Sequence, residues 1–300
     1  MCADHCAGCT ESGRQGLIVA SVELKNVTYI YNKGTPYETK ALDNISLHLP
    51  GTRITGLIGH TGSGKSTMMQ LINGLLKPTA GEVCIDGRNI WDEPKKIREI
   101  RFKAGLVMQY PEHQLFAETV EEDIAYDPKN MGLSGEELHN RVLEAAMFSG
   151  LDTAWLDKSP FELSGGQKRR VALAGVIAMK PQILILDEPA AGLDPGGRRE
   201  ILGGVKRYAR ESGTNVIIVS HSMEDMALYC DDLVVMSAGK ILMYDSCAAV
   251  FSRAEEMLAV GLDVPQVTSV AFALAKHGVD IGKDVYTVDW AADKIAAFER

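Results

Sequence analysis

The sequence of 300 residues lacks any apolar run long enough to cross a membrane as a helix. Its longest apolar runs, at residues 183–186 and 216–219, have the length of a β-strand. A membrane helix needs a run of about 20 apolar residues. The N-terminus also lacks the charged start and apolar stretch of a secretory signal. We therefore expect a protein that is made and kept in the cytosol.

An excess of basic residues is missing as well. The sequence has 31 Lys and Arg against 40 Asp and Glu, which gives a net charge of −9. Because an acidic chain repels phosphate backbones, we expect no nucleic acid partner, although a local basic patch is compatible with this composition. Aromatic residues are few, at 6%, but apolar residues make up 46% of the chain, which is enough to build a sizeable core.

Cysteine is scarce in the body of the chain. The three scattered thiols there are Cys84, Cys230 and Cys247. In a cytosolic protein such thiols are usually reduced and structural. A second group crowds the N-terminus and consists of Cys2, Cys6 and Cys9 beside His5. Three nearby thiolates can bind a metal ion or an iron–sulfur cluster. The alternative is a loose tail, and we treat residues 1–18 as a flexible lead whose role the sequence leaves open.

A glycine-rich segment between a predicted strand and a predicted helix is the most informative feature of the chain. It consists of Gly59, His60, Thr61, Gly62, Ser63, Gly64, Lys65 and Ser66, followed by Thr67. Backbone N–H groups of such a loop cradle the β- and γ-phosphates, and the dipole of the following helix favours their charge. Lys65 is expected to bind phosphate oxygens, and the Ser66 hydroxyl to coordinate Mg²⁺. The segment predicts a site for a nucleoside triphosphate.

The first third of the chain predicts two kinds of β structure. Alternating apolar and polar residues at 22–27 and 45–49 predict half-buried strands, which suggest an antiparallel β layer. Residues 53–58 form a further strand that runs into the glycine-rich segment. Residues 67–76 have helical character, which gives the strand–loop–helix order that a phosphate loop requires.

The rest of the chain predicts βα units interrupted by helices. Segments at residues 120–126 and 136–150 predict a helical insertion at about residues 110–165. Strands at residues 183–186 and 216–219, with a helix near residues 198–211 between them, predict a mostly parallel sheet. Further on, we expect a hairpin formed by the sequences that flank Ala238-Gly239, at 233–237 and 240–244.

Two acidic residues, Asp187 and Glu188, follow the apolar strand at residues 183–186. Ligands of open α/β sheets bind at the carboxyl ends of the strands. We expect Asp187 to hold the Mg²⁺ shell and Glu188 to polarise the attacking water. Acids after a strand are common at solvated strand ends, and the glycine-rich segment upstream is what favours the catalytic interpretation.

Between these features lies a short motif formed by Leu163, Ser164, Gly165, Gly166 and Gln167. It resembles the signature motif of ATP-binding cassette (ABC) ATPases. Its serine and glycines precede a helix that is expected from Gln167 onward, so it forms a second anion site. The resemblance implies that two cassettes pair head to tail, with Ser164 and Gly166 on the γ-phosphate that the partner's phosphate loop holds.

The same resemblance implies an α/β fold of the RecA-like P-loop NTPase type. This fold has a mostly parallel sheet with an antiparallel β layer and a helical insertion, plus a small C-terminal extension. We expect the ATPase domain to span residues 19–250 and the extension residues 251–300.

Further positions match the ABC family one by one. Gln109 follows a strand at residues 105–108 and matches the glutamine that reaches Mg²⁺ and the attacking water. His221 matches the histidine that contacts the γ-phosphate, and residues 192–195 match the loop that touches the opposite subunit. Tyr31 resembles the aromatic residue that stacks on adenine. Its rivals for this role are Tyr29 and Tyr37, and core packing is an alternative for any of the three.

A finer resemblance is to the ATPase subunits of energy-coupling factor (ECF) transporters, which drive uptake of vitamins or of cobalt and nickel ions. Residues 34–38 and 110–116 carry it, and residues 192–195 resemble the second of the two ATPase types. The acids near residues 112–122 suit basic side chains of a membrane subunit, or they form an ordinary solvated face.

This resemblance implies an ATPase that uses ATP and Mg²⁺ at the cytoplasmic face of the cell membrane, as a peripheral protein. Its partners would be a second ABC ATPase subunit, in a homodimer or a heterodimer, an integral transmembrane subunit and a substrate-binding membrane subunit. The solute is chosen by another subunit, so this sequence does not name it. The alternatives are a cassette of another ABC transporter and a soluble ABC ATPase of cluster assembly.

Overall fold

A computed structural model of the chain describes residues 20–298. Within them lie ten strands: β1 (Val22–Tyr31), β2 (Thr39–Leu49), β3 (Ile54–Gly59), β4 (Ala80–Ile85), β5 (Arg88–Asn89), β6 (Ala104–Val107), β7 (Ile183–Asp187), β8 (Asn215–Val219), β9 (Asp232–Ser237) and β10 (Lys240–Ser246). The helices of the described residues are α1 (Lys65–Ile72), α2 (Ile97–Lys103), α3 (Val120–Asn130), α4 (Gly135–Ser149), α5 (Gly165–Ala178), α6 (Pro195–Ser212), α7 (Met223–Tyr229), α8 (Cys247–Phe251), α9 (Ala254–Ala259), α10 (Gln266–Lys276) and α11 (Val288–Phe298).

The strands form two sheets. The larger has the order β10-β9-β3-β8-β7-β6, and its pairs are parallel except for the β9–β10 hairpin. The smaller is antiparallel with the order β2-β1-β4-β5. The predicted parallel sheet, antiparallel layer and hairpin are therefore confirmed. Strands β4 and β5 and helix α2 were not predicted from the sequence.

The parallel sheet is buried on both faces, which explains its unbroken apolar strands. Alternate residues of β7 and β8 enter different cores: Leu184 and Ile218 pack with the helical insertion, whereas Ile185 and Ile217 pack with the antiparallel layer. A third, small core within residues 267–291 belongs to the C-terminal helices. Because both faces are covered, polar chemistry is confined to the edges of the sheet.

Several predicted boundaries differ from those in the structure. Helix α1 spans Lys65–Ile72 rather than residues 67–76, because Gly74 in the left-handed region ends it early. Helix α5 begins at Gly165 rather than Gln167, because the Ser164 side chain caps it and Gln167 completes a capping box. The predicted insertion contains α3 and α4, both of which pack against α5.

Candidate functional site

One cavity of about 380 Å³ opens at the carboxyl edge of the parallel sheet. Four parallel strands deliver functional residues to this edge, since their carboxyl ends meet there. Strand β3 leads into the glycine-rich loop, and β6 is followed by Gln109. Strand β7 leads to Asp187 and Glu188, and strand β8 leads to His221. The cavity thus gathers residues from distant parts of the chain, such as Tyr31 and His221.

The glycine-rich loop is shaped for close backbone approach. Gly64 has φ +103°, and a Cβ there would lie 2.6 Å from the Ala41 carbonyl oxygen and 2.7 Å from Leu42 Cδ2. Only glycine fits this position without strain. The Lys65 side chain folds back over the loop and donates to the Gly59 carbonyl at 2.6 Å and to the His60 carbonyl at 3.1 Å. Burial lowers the pKa of Lys65, while Asp187 and Glu188 act in the opposite direction.

The β9–β10 hairpin supports the loop from behind. The Gly239 amide donates to the Ser63 carbonyl at 3.1 Å, and His60 Nε2 lies 3.2 Å from Ser237 Oγ. The Ser63 side chain is fully buried, and its hydroxyl has no hydrogen-bond partner among the described residues. These contacts hold the loop against the hairpin. Gly59, His60 and Ser63 do not line the cavity.

The acidic side of the cavity consists of Asp187 and Glu188. Burial raises the pKa of both carboxyl groups; for Asp187 it is opposed by Lys65 and His221, and for Glu188 chiefly by His221. Glu188 has φ +51°, an unusual conformation for this residue type, and its amide donates to the Val219 carbonyl at 2.9 Å. Its Oε1 atom lies 3.7 Å from His221 Nε2 and accepts no hydrogen bond. The carboxylate thus has one buried oxygen without a hydrogen-bond partner among the described residues.

Tyr31 is the tyrosine that reaches the cavity. Its hydroxyl lies 3.2 Å from Thr67 Oγ1 of α1, and its ring meets Tyr29 edge-on with centroids 4.8 Å apart. Of its rivals, Tyr29 is half-buried outside the cavity wall, and Tyr37 is 80% exposed. The geometry favours Tyr31 as the ring that meets a base.

The sequence analysis missed four residues of the cavity wall, namely Thr39, Lys40, Ala41 and Val219. Thr39 is the direct partner of Tyr31 in the β1–β2 register, so a pairing of these strands would have indicated it. Val219 ends β8, two residues before His221.

The predicted site residues thus divide into three groups, one of which is the part of the phosphate loop that does not line the cavity, namely Gly59, His60 and Ser63. Those that line the cavity are Tyr31, Thr61, Gly62, Gly64, Lys65, Ser66, Thr67, Gln109, Asp187, Glu188 and His221. Those of the signature motif, Ser164, Gly165, Gly166 and Gln167, do not line it. Ser164 and Gly165 are exposed at the start of α5. Within one chain, therefore, the signature motif is separate from the site that holds the phosphate loop.

The capping box makes the signature motif rigid. The Ser164 amide donates to Gln167 Oε1 at 2.8 Å, and the Gln167 amide donates to Ser164 Oγ at 3.4 Å. The backbone N–H groups of Ser164 and Gln167 thus have partners, whereas the first turn of a helix leaves further N–H groups without an intrahelical partner. This helix start is available to an anion that comes from outside the chain.

Two other expectations concern the N-terminal cysteines and membrane-spanning helices. The cysteine group Cys2, Cys6 and Cys9 lies outside the described residues. Over residues 20–298, no helix is long and apolar enough to cross a membrane, and no cluster of three or more His, Cys, Asp or Glu side chains could hold a metal ion.

Comparison with known sequences identifies strong similarities. The ABC transporter family model matches residues 42–191. The energy-coupling factor transporter ATP-binding protein EcfA2 of Caldanaerobacter subterraneus subsp. tengcongensis is 50% identical over 279 residues, which cover 93% of this chain and 98% of that protein.

Solved structures agree with this result. The protein cbiO1 from Clostridium perfringens, part of the ABC transporter complex cbiONQ, has a TM-score of 0.71 and 36% identity, with 82% of this chain and 96% of that chain covered. A dimeric ATP-binding cassette in a post-hydrolysis state, bound to ADP and Pi, has a TM-score of 0.69 and 31% identity, with 75% and 98% covered. The predicted P-loop NTPase fold is confirmed.

Proposed function

The chain belongs to the ABC transporter family and, within it, to the ATP-binding subunits of energy-coupling factor transporters; on this premise we propose that it drives an ECF-type importer as the second ATPase type. The observation that carries the proposal is the convergence of the phosphate loop, Gln109, Asp187, Glu188 and His221 on one cavity. This set combines a phosphate cradle, oxygen ligands and a buried base, which are the parts that phosphoryl transfer to water requires.

The phosphate loop and α1 hold the triphosphate of ATP. Amides at the start of α1 donate to phosphate oxygens, and Lys65 exchanges its two backbone carbonyl partners for them. Tyr31 stacks on the adenine ring. The Gly239 amide, which donates to the Ser63 carbonyl, keeps the loop in the conformation that the cradle needs.

The residues present also fit a magnesium ion. Ser66, Gln109 and Asp187 line the same cavity, and each offers the oxygen ligand that Mg²⁺ prefers. When bound, Mg²⁺ neutralises charge on the phosphate oxygens. Burial raises the pKa of Asp187 against the opposing effects of Lys65 and His221, and a bound cation would favour its charged form.

Glu188 and His221 act on the water that attacks the γ-phosphate. Glu188 accepts a hydrogen bond from the water, and its raised pKa makes it a stronger base than an ordinary glutamate. His221 lines the same cavity, with its ring nitrogen 3.7 Å from the Glu188 carboxylate, and it orients the γ-phosphate. Most of the catalysis arises from positioning and charge stabilisation.

A second cassette completes the site. Because Ser164 and Gly165 are exposed and absent from the cavity wall, they serve the nucleotide that a neighbouring ATPase subunit holds. Binding of ATP then closes two subunits onto each other, and hydrolysis opens them. The dimeric cassette with ADP and Pi supports this arrangement. The partner is a second copy or a related ATPase.

The surface that follows Gln109 is the docking site for the membrane subunits. An aromatic patch there consists of Tyr110, Phe116 and Tyr126, whose exposed fractions are 57%, 60% and 48%. Exposed apolar clusters of this kind mark interaction sites. Of the neighbouring acids, Glu118 and Glu122 are exposed, whereas Glu112 pairs with Arg169 and Glu121 with His139.

The chain is therefore a peripheral protein at the cytoplasmic face of the cell membrane. There it contacts a transmembrane subunit and a substrate-binding membrane subunit. Residues 19–250 act as the ATPase domain and residues 251–300 as an extension. The ECF relationship favours this function over a cassette of another ABC transporter and over a soluble ABC ATPase of cluster assembly.

Affinity capture of the tagged chain from detergent-solubilised membranes tests the proposal. We expect integral membrane subunits and ATPase activity to copurify with the tag. Phe116→Asp should lose the membrane subunits but keep ATP binding, whereas Tyr37→Asp, at an exposed aromatic residue outside the aromatic patch, should retain them. Capture of soluble proteins alone would contradict the importer function.

A further inference from the structure

The signature helix α5 carries a buried arginine that the mechanism above does not use. The side chain of Arg169 is 9% exposed. A guanidinium keeps its charge at every physiological pH, so burial is unfavourable unless partners compensate. The contacts of Arg169 therefore indicate what this charge is for.

The first partner is Glu112. The Arg169 Nη2 atom lies 3.3 Å from Glu112 Oε1 and 3.4 Å from Oε2. Glu112 belongs to the short 3₁₀ turn Pro111–Gln114, three residues after Gln109. The pair thus connects α5 with the segment that bears Gln109 and, on either side of the turn, Tyr110 and Phe116 of the aromatic patch.

The second partner is a backbone carbonyl. Arg169 Nη1 donates to the carbonyl of Ala191, which lies three residues after Glu188. The same loop continues to Asp194, whose carboxylate caps α6. The third donor position, Nε, is buried without a partner among the described residues. Two contacts, to two different loops, therefore hold the guanidinium.

The neighbouring Arg170 shows what an ordinary structural arginine does on this helix. It donates to the Gly150 carbonyl at 3.0 Å and pairs with Glu200 of α6 at 2.6 Å. These partners lie at the end of α4 and within α6, and neither lines the nucleotide cavity. Arg169 differs because both its partners lie within three residues of cavity residues.

We propose that Arg169 is a positioning residue, which joins the segment after Gln109, the signature helix and the loop after Glu188 into one unit. Glu112 is its charge partner. A movement of the docking segment then shifts Glu188 and the signature residues together. The inference rests on the proposed ATPase function and extends it, because it names the contact through which the docking surface and the hydrolytic site influence each other.

The test uses the complex purified through a tag on the full chain. Arg169→Met removes the charge and both contacts, and Glu112→Gln removes the charge of its partner with little change of shape. Glu200→Gln is the matched control, since it removes the carboxylate partner of the adjacent arginine. For each variant, kcat and KM for ATP and the thermal midpoint are measured, together with the double variant Arg169→Met/Glu112→Gln.

We expect Arg169→Met to lower kcat about tenfold to 100-fold, because misplacement of catalytic groups has effects of this size, while KM changes less than about twofold. Glu112→Gln should lower kcat by about threefold to tenfold, and the double variant should be no slower than Arg169→Met, since both act on one contact. Glu200→Gln should keep the parent's kcat. If Arg169→Met fails to fold, Glu112→Gln against Glu200→Gln decides the question.

Unchanged kcat in the folded Arg169 and Glu112 variants would overturn the inference. So would independent, multiplying losses in the double variant, or a loss in Glu200→Gln equal to that in Glu112→Gln. A parent complex without ATPase activity would instead overturn the proposed function, and this inference with it.

Discussion

Substitution of Glu188 by glutamine tests the assigned base. The change keeps the shape of the side chain but removes the negative charge that the attacking water needs. General base catalysis contributes about 10²–10⁴ in rate, so turnover should fall by this factor, which corresponds to about 3–5 kcal/mol in activation free energy.

The structure also indicates that folding and ATP binding should survive. Glu188 Oε1 accepts no hydrogen bond that the substitution would remove, and the pKa of this carboxyl group is raised by burial and, less, by Asp187, against the opposing effect of His221. Because a neutral side chain avoids the unfavourable burial of a charge, we expect the unfolding free energy to stay within about 1 kcal/mol of the parent's or to rise.

Phosphate release at saturating ATP measures turnover, and titration with a fluorescent ATP analogue measures binding. Glu144→Gln is the matched control, since this glutamate of α4 pairs with Lys180 outside the nucleotide cavity. The control should hydrolyse ATP at the parent's rate. If Glu188→Gln also did so, the assignment of the base would be refuted.

Three further predictions concern the ring of Tyr31, the pH dependence of kcat and Gly64 of the phosphate loop. Tyr31→Ala should weaken ATP binding about tenfold in an equilibrium titration, as expected for the loss of stacking on the base. The controls Tyr31→Phe and Tyr37→Ala should bind ATP as the parent does. If Tyr31→Ala bound ATP with the parent's affinity, stacking on Tyr31 would be excluded. Burial raises the pKa of Glu188, so its basic form is lost as pH falls through this raised value. The kcat should therefore decline at low pH with a midpoint above the ordinary pKa of 4.5. A midpoint at or below 4.5 would contradict the buried base. Gly64→Ala should destabilise the fold by about 1–3 kcal/mol in urea unfolding, since its Cβ meets the Ala41 carbonyl in a left-handed conformation. The control Gly203→Ala, in open space on α6, should be neutral or stabilising, and equal stability of both variants would disprove the steric argument.

Residues with strong local patterns allowed most of the fold to be predicted. The apolar strands before Asp187 and His221 are buried on both faces, so their sequences indicate strands without knowledge of their neighbours. Strand β4, by contrast, has three exposed residues followed by three buried ones, which gives no alternation. Its place is set by pairing with β1, a tertiary contact that a local pattern does not contain.

In the candidate site, too, local patterns predicted some residues, whereas others depend on tertiary contacts. Motif residues such as Lys65 and Glu188 were identified because their spacing after strands is characteristic. Thr39 and Lys40 reach the cavity only through the register of β2 against β1. Arg169 shows no motif spacing of its own, and its role depends on Glu112, which is 57 residues away in sequence.

A neighbouring subunit's contribution to the nucleotide site is the central claim, and a cross-link from Gly165 tests it most directly. Gly165 is exposed, and nothing lies within 4 Å of a Cβ built there, so a cysteine carrying a photoreactive group fits. The cross-link is made in the Glu188→Gln complex with ATP, in preparations that mix isotope-labelled and unlabelled chains. We predict that the product joins Gly165 to the phosphate loop of a different ATPase chain, and only when ATP is present. Products confined to one chain, or independent of ATP, would contradict the account.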